Sequence, residues 1–340
     1  MALLTSGINP GQLSEVSTAY AALHSSSLQQ SDFPYFHVRN AGNKGLGCFA
    51  ARQILPGTLV HQEAPLFIVY EIGDEDPSRA IHDEISVEVN NLSVQNRAAY
   101  MQLVVPGQVR ILRNNFVSQV FNANSFETME HPDRRTTDQG IFLMAARFNH
   151  SCVPNAYFQY NPRIGQLTIF AISRIEKDDE ILVNYKYEDI YKSRDERRQN
   201  LQRGYHFTCE CPACHDGPYH DESERLRSLM AVLDTQDQQR LGNSTERRQR
   251  KDRLIALLGT AGCPYPQTAH LYKQLAEDYL GEMNLLGAGY SGNITECRQK
   301  AQTAARGKLM VEILAIGPNT EEIDKSLDLI AEAGYHGRFG

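Results

Sequence analysis

The chain has 340 residues, enough for about two domains at roughly 150 residues each. Its hydrophobic fraction of 41% and charged fraction of 22% are ordinary for a folded protein and argue against a disordered one. The net charge is 34 − 41 = −7, whereas proteins that bind nucleic acids usually carry a basic face. We therefore expect no direct binding of nucleic acid.

Membrane and secretory segments are not expected. The longest apolar stretches, such as residues 64–69 and 141–146, are far shorter than the ~20 residues of a membrane helix. Residues 1–9 lack the basic and apolar regions of a secretory signal. Seven cysteines, an odd number, argue against a disulfide framework. We expect an intracellular protein of the cytoplasm, the nucleus or both, with no membrane association.

The first half of the chain alternates short strands with one helical stretch. We interpret the Ser- and Gln-rich residues 1–34 as a loosely attached extension. Glycine and proline turns then separate short β-like runs, namely residues 36–38, 48–50, 58–60 and 66–70. Apolar residues at helical spacing, Ile81, Ile85, Val89 and Leu92, predict a helical insertion over about residues 74–121.

Strands return after the helical insertion and then give way to helices. Residues 156–160 and 167–172 predict a hairpin, and residues 181–183 a further strand. Beyond them we predict a helical C-terminal domain over residues 217–340, with helices at 294–316 and 323–333. That domain either only supports the first one or stacks helix pairs in the tetratricopeptide manner, although no clear 34-residue repeat is found.

Three closely spaced cysteines are the strongest local signal for a metal. Cys209, Cys211 and Cys214 lie within six residues, and grouped thiolates are typical of a structural zinc site. Chance clustering or three buried free thiols is the alternative. Because three neighbouring sulfurs cover only one side of the ion, a fourth ligand, Cys or His, must come from elsewhere.

Four motifs occur in a distinctive order. They are the glycine turn of residues 42–50, residues 122–126 (Asn-Ala-Asn-Ser-Phe), residues 149–152 (Asn-His-Ser-Cys) and residues 180–185, which begin with Glu180 and end with Tyr185. Followed by the three cysteines, this set resembles the SET-domain lysine methyltransferases, in particular the SET-and-MYND branch, over about residues 35–216.

The resemblance implies a fold and a domain organisation. We expect a mainly β SET fold, with small curved sheets and a pseudoknot, over residues 35–187. The helical insertion lies within it, a zinc-bound post-SET segment follows over residues 188–216, and the C-terminal region is all-α.

The resemblance also implies site residues. S-adenosylmethionine would be the methyl donor, bound by Lys44, Leu46, Asn124, Asn149, His150, Tyr185 and Phe207. Phe126 and Tyr185 would be the catalytic residues, lining a lysine channel in which the Tyr185 hydroxyl orients the methyl group. Cys152 would complete the structural zinc site with Cys209, Cys211 and Cys214.

One element of the SET-and-MYND branch is missing. No cysteine lies between Cys48 and Cys152, so the cysteine-rich MYND finger that follows the early strands in that branch cannot form there. We therefore do not infer that this chain binds the partners that the finger binds in that branch.

The leading functional hypothesis is a monomeric protein-lysine N-methyltransferase whose partner is a protein substrate presenting a lysine. One alternative is methylation of a small-molecule amine by the same site. The other is a non-catalytic SET-like interaction protein, which the intact Asn149, His150 and Tyr185 argue against.

Overall fold

The protein is described by a computed structural model. The structure describes residues 35–70, 77–103, 116–130, 137–263, 265–287 and 292–335, so the extension predicted over residues 1–34 lies outside them. Two compact units are formed. One contains Tyr35–Lys186 and Arg194–Cys214, and the other contains Tyr187–Ser193 and the chain from His215 onward. The domain limits expected from the sequence stay a prediction.

The first unit is built from small sheets. Its strands are β1 Phe36–Asn40, β2 Leu46–Ala50, β3 Leu59–Glu63, β4 Phe67–Val69, β5 Ser125–Glu130, β6 Thr137–Ile141, β7 Asn149–His150, β8 Ala156–Asn161, β9 Gln166–Ala171 and β10 Leu182–Val183. The antiparallel sheets have the orders β1-β2, β3-β9-β8 and β4-β6-β5. Strands β7 and β10 form a separate parallel pair. The hairpin predicted over residues 156–172 is confirmed.

The core of this unit forms around β9, the middle strand of its sheet. Leu167, Ile169 and Ala171 are almost completely buried, because β9 has a hydrogen-bonded neighbour on each side. They pack with apolar residues of the surrounding strands and turns, including Ile54 and Phe142. This cluster supports the backbone that carries the site residues.

The short parallel pair β7–β10 brings two distant motifs together. Leu182 lies beside Asn149, and Val183 lies beside His150. Asn155 fixes the approach of β10, since its Oδ1 accepts from the Leu182 amide at 2.8 Å and its Nδ2 donates to the Glu180 carbonyl at 2.9 Å. The strand that leads to Tyr185 therefore runs alongside the Asn-His motif.

The predicted insertion contains helices α1 Pro77–Asn91, α2 Val94–Met101 and α3 Phe116–Asn124. The Ser93 side chain accepts from the Asn96 amide at the start of α2, a favourable N-terminal cap. Ile85, Tyr100 and Phe121 bury their side chains against Phe67 of β4. The helices of the insertion thus form a second apolar cluster with the β4-β6-β5 sheet.

One further helix, α4 Arg194–Tyr205, belongs to the first unit. The second unit contains helices α5 Pro218–Gln238, α6 Ser244–Thr260, α7 Gln267–Gly287, α8 Ile294–Ile316 and α9 Glu321–Tyr335. The helix predicted over residues 294–316 is confirmed, and so is the all-α C-terminal region. Within the described ranges, no helix combines the length and apolar character needed to cross a membrane.

Candidate functional site

Four cysteine sulfurs converge in the first unit. Cys152, two residues after β7, lies 3.9 Å from Cys209 and 3.6 Å from Cys214, measured between the Sγ atoms. With Cys211, all four sulfurs lie within 4.8 Å of one another. Tetrahedral zinc with Zn–S bonds of about 2.3 Å would space its sulfurs about 3.8 Å apart, so the donor set fits a zinc ion.

Two arginines of α4 hold the cysteine segment. Arg197 donates to the Ala213 carbonyl at 3.0 Å and lies 3.5 Å from Cys214 Sγ. Arg198 donates to the Cys209 and Cys214 carbonyls. Burial alone would lower the pKa of Arg197, but Cys152 and Cys214 outweigh it and raise this pKa. A buried cation thus faces the sulfurs. Its charge would offset the net negative charge of a zinc ion bound by four thiolates.

The ring of His150 connects Cys152 to the strand end that carries Tyr185. Its Nδ1 accepts a hydrogen bond from the Tyr185 amide at 3.0 Å, and its Nε2 lies 3.4 Å from Cys152 Sγ. Since Nδ1 is an acceptor, the proton of the neutral ring is assigned to Nε2, which then donates to the sulfur. The side chain of His150 is therefore committed to protein contacts.

Aromatic rings surround Tyr185. Its ring centre lies 5.0 Å from that of Tyr205, 5.2 Å from His150 and 6.4 Å from Phe207. The Tyr185 hydroxyl donates to the Phe148 carbonyl at 2.7 Å. Burial raises the pKa of Tyr185, so this hydroxyl stays protonated at neutral pH and keeps a fixed direction.

Tyr205 was not among the site residues expected from the sequence. Its ring centre lies 5.0 Å from that of Tyr185, and it stands two residues before Phe207 and four before Cys209. A tyrosine so close to the cysteine cluster was the only available signal, and the ring contact depends on the fold.

Phe126 and Asn124 lie where α3 passes into β5. Phe126 packs edge-on against Phe142 and Phe158, with ring centres 5.8 and 5.0 Å away, in the apolar cluster against which Tyr185 also packs. The buried Asn124 donates to the carbonyl of Val120, one turn earlier in its own helix, at 2.8 Å. Their assigned roles in the channel and in cofactor binding stay predictions.

The glycine turn brings Lys44 and Leu46 to the Asn-His motif. Gly45 adopts a φ of +78°, a left-handed conformation that favours glycine. The Asn149 Nδ2 donates to the Leu46 carbonyl at 3.0 Å and to Glu180 Oε1 at 2.8 Å, while Lys44 pairs with Glu180 Oε2. Glu180 was not among the site residues expected from the sequence, and the structure places it between two predicted cofactor ligands.

Gly47 makes room for this pair. A Cβ atom at position 47 would lie 2.6 Å from Glu180 Oε1 and 2.8 Å from Asn149 Nδ2, closer than van der Waals contact allows. The turn is also tied to the cysteine segment, because Asn43 donates to Glu210 at 2.9 Å. The glycine turn, the Asn-His motif and the cysteine segment therefore form one cluster.

The residues present fit S-adenosylmethionine. Lys44, whose side chain is 40% exposed, offers a cation to a carboxylate. Asn149 Oδ1 has no partner among residues the structure describes and can accept from an ammonium group. Phe207, 5.9 Å from the His150 ring, offers an aromatic face for an adenine. How such a molecule would lie among them stays a proposal.

Comparison with known proteins identifies a domain in the first unit. The sequence model of the SET domain matches residues 45–186. The histone-lysine N-methyltransferase set5 of Schizosaccharomyces pombe is 29% identical over 174 residues, 51% of this chain and 48% of that protein. The chain thus corresponds to about half the length of this relative.

Two further relatives carry the same domain. The putative SET domain-containing protein L678 of Acanthamoeba polyphaga mimivirus is 23% identical over 213 residues, 54% of this chain and 80% of that protein. The N-lysine methyltransferase SMYD2 of Gallus gallus is 30% identical over 108 residues, 32% of this chain and 24% of that protein. The resemblance expected from the four motifs is confirmed: the chain contains a SET domain, with the SET fold, and this domain is similar to that of the SET-and-MYND branch.

Proposed function

We propose that this chain is an S-adenosylmethionine-dependent protein-lysine N-methyltransferase. The observation that carries the proposal is the position of Tyr185, whose hydroxyl is fixed by the carbonyl of Phe148, the residue that precedes Asn149 and His150. The ring cluster around it supplies a dry surface for an amine, and Asn149 and Lys44 supply polar groups for a charged donor. The proposal is supported by relatives described as lysine methyltransferases.

The donor side of the site is polar. S-adenosylmethionine supplies a methyl group on a sulfonium, together with an amino-acid end that carries an ammonium and a carboxylate. Asn149 Oδ1 would accept from the ammonium, and Lys44 would pair with the carboxylate. The remaining residues that we propose to bind the donor are Leu46, Asn124, the His150 backbone, Tyr185 and Phe207.

The acceptor side is aromatic. Methyl transfer to an amine requires a neutral nitrogen in line with the breaking bond, so positioning and exclusion of water are its main needs. Tyr185, Tyr205 and Phe126 would form an apolar channel that lowers the pKa of an entering lysine by desolvation. The lysine would lose its proton to water, and the Tyr185 hydroxyl would orient the methyl group.

We propose a structural role for zinc. Bound to Cys152, Cys209, Cys211 and Cys214, the ion would hold the segment with Tyr205 and Phe207 against the Asn-His motif. His150 would couple the two, because its ring contacts both the Cys152 sulfur and the Tyr185 amide. All seven cysteines are free thiols in the structure, which is in keeping with the proposed action inside the cell.

A transfer assay tests the function. Full-length protein is incubated with methyl-labelled S-adenosylmethionine and native cell extract, and label in protein bands is compared with label in small molecules. We expect label in protein that acid hydrolysis recovers as N-methyl-lysine. Label confined to small molecules would favour methylation of a free amine. Absence of transfer, with intact binding of S-adenosylhomocysteine, would favour an interaction protein.

A further inference from the structure

Glu180 lies between two residues that we propose as ligands of the methyl donor. One carboxylate oxygen accepts from Asn149 Nδ2 at 2.8 Å, and the other pairs with the Lys44 ammonium. The side chain is only 12% exposed. Its backbone is held against β2 by pairing with Phe49 and by the hydrogen bond from the Ile181 amide to the Cys48 carbonyl. The carboxylate is therefore a fixed point of the site.

The hydrogen bonds of Asn149 define which end of its amide faces the donor. Its two N–H groups are used by the Leu46 carbonyl and by Glu180 Oε1. In the opposite orientation, the amide oxygen would face those two acceptors, which is repulsive. Glu180 therefore keeps Oδ1 outward, and an outward carbonyl oxygen accepts from an ammonium but cannot bind a carboxylate.

The same carboxylate also orients the side chain of Lys44. A lysine on a turn loses considerable side-chain entropy when it is fixed on a ligand. The pairing with Glu180 holds the ammonium near Asn149 before any ligand arrives, and preorganisation of this kind increases affinity. Glu180 thus holds a hydrogen-bond acceptor, Asn149 Oδ1, beside a hydrogen-bond donor, the Lys44 ammonium.

We propose that Glu180 is a positioning residue for recognition of the amino-acid end of the donor. It holds Asn149 Oδ1 as the acceptor for the α-ammonium and Lys44 as the partner of the α-carboxylate. This inference rests on the proposed function and adds a determinant of donor specificity. Glu180 itself does not touch the reacting atoms.

Two ligands separate this role from general support of the fold. S-adenosylhomocysteine carries the amino-acid end, whereas 5′-methylthioadenosine keeps the nucleoside and the thioether but lacks that end. Glu180→Ala should weaken binding of S-adenosylhomocysteine by about tenfold to a hundredfold, the range for loss of a charge-assisted hydrogen bond. Binding of 5′-methylthioadenosine should be unchanged. Both affinities are measured by calorimetry on the full chain.

Conservative and control variants sharpen the test. Glu180→Gln keeps an acceptor for Asn149 and should recover most of the affinity lost in Glu180→Ala. Glu176→Gln changes a nearby acid, whose carboxylate accepts from the Gln53 side chain and from no other residue that the structure describes, and should leave both ligands unaffected. If Glu180→Ala does not fold, Glu180→Asp serves instead, because its shorter side chain withdraws the carboxylate from Asn149 and Lys44; it should weaken S-adenosylhomocysteine but not 5′-methylthioadenosine.

The outcomes distinguish the inference from the function on which it rests. Equal weakening of both ligands would make Glu180 a structural residue, and equal affinity of Glu180→Ala and wild type would leave it without a role. Either result overturns the inference alone. Failure of the wild-type protein to bind either ligand would overturn the proposed function and the inference with it.

Discussion

Gly47 illustrates how a single residue of the glycine turn serves the site. A side chain there would meet the carboxylate of Glu180 and the amide of Asn149. The free space at this position is filled by the protein's own hydrogen-bonded pair. One missing Cβ atom therefore decides whether Asn149 can take its orientation.

Gly47→Ala should damage both stability and ligand binding. Overpacking typically costs about 1–3 kcal/mol, so the free energy of unfolding in urea should fall by that amount, and affinity for S-adenosylhomocysteine should fall with it. Gly259→Ala is the control, because a Cβ there meets nothing within 4 Å and alanine favours a helix by up to about 1 kcal/mol. Unchanged binding of S-adenosylhomocysteine in Gly47→Ala would contradict this prediction, because it would show that Asn149 and Glu180 can shift without loss of affinity.

Glu63 supports the turn that precedes the Asn-His motif, and its contribution depends on pH. Burial alone would raise the pKa of Glu63, but hydrogen bonds from His61 and the amides of Met144 and Ala145 lower it below the usual value. A lowered pKa means stability that is present above the unfolded value of about 4.3 and lost as pH falls through the folded value.

Glu63→Gln should therefore be destabilised at pH 7 and much less so in acid. Loss of the charge-assisted hydrogen bonds is expected to cost about 1.5–3 kcal/mol at pH 7. Urea unfolding of both proteins between pH 7 and pH 3 should show the difference shrink as wild-type Glu63 becomes protonated. A difference that stays constant across this range would contradict the assigned hydrogen bonds.

At the scale of elements, sequence patterns predicted the parts with regular apolar spacing. Strands β8 and β9 were found because short runs rich in aromatic and aliphatic residues flank a turn. Helix α8 has buried residues at helical spacing, such as Cys297, Ala301 and Ala305. Strand β6 was missed because its sequence, Thr-Asp-Gln-Gly-Ile, shows no such pattern and is buried only by pairing on both sides. Helix α4 was missed because it buries Arg197 and Leu201 against the cysteine segment without an apolar face.

The residues of the site were likewise predictable only where a sequence pattern marks them. The spacing of Cys209, Cys211 and Cys214 alone predicts a metal site. Cys152 lies far away in the chain and was assigned only by resemblance. Glu180 was noted only as the first residue of a motif, and Arg197 was not noted at all, because their significance lies in tertiary contacts. A motif identifies residues that touch a ligand, whereas the residues that orient them emerge only in the fold.

The cysteine segment should depend on its metal. Cys211→Ser removes one of four converging sulfurs, so we expect loss of the bound zinc, measured by metal analysis of the purified protein at one ion per chain in the wild type. Structural zinc is associated with about 10–16 kcal/mol of apparent binding free energy in zinc-finger peptides, so the melting temperature should fall markedly. Cys297→Ser, in helix α8, should keep the zinc. A fully folded wild-type protein without metal would refute the assignment.

At the scale of the whole molecule, the chain combines a SET unit with a helical unit that has its own polar core. In the helical unit, Lys308 pairs with Glu312 at 2.6 Å and donates to Ser326 at 2.6 Å, with all three residues buried. Loss of one partner in such a buried network is strongly destabilising, so these contacts specify how α8 and α9 pack. The catalytic groups that we propose all belong to the SET unit.

The central claim is that Tyr185 takes part in methyl transfer to a protein lysine. Its test is single-turnover transfer from saturating labelled S-adenosylmethionine to the acceptor protein, with wild type and Tyr185→Phe compared. We predict a rate reduced by about tenfold or more, because the fixed hydroxyl oxygen that orients the methyl group is lost, with affinity for S-adenosylhomocysteine nearly unchanged. Equal rates in the two proteins, or no transfer by either to any acceptor, would contradict the account.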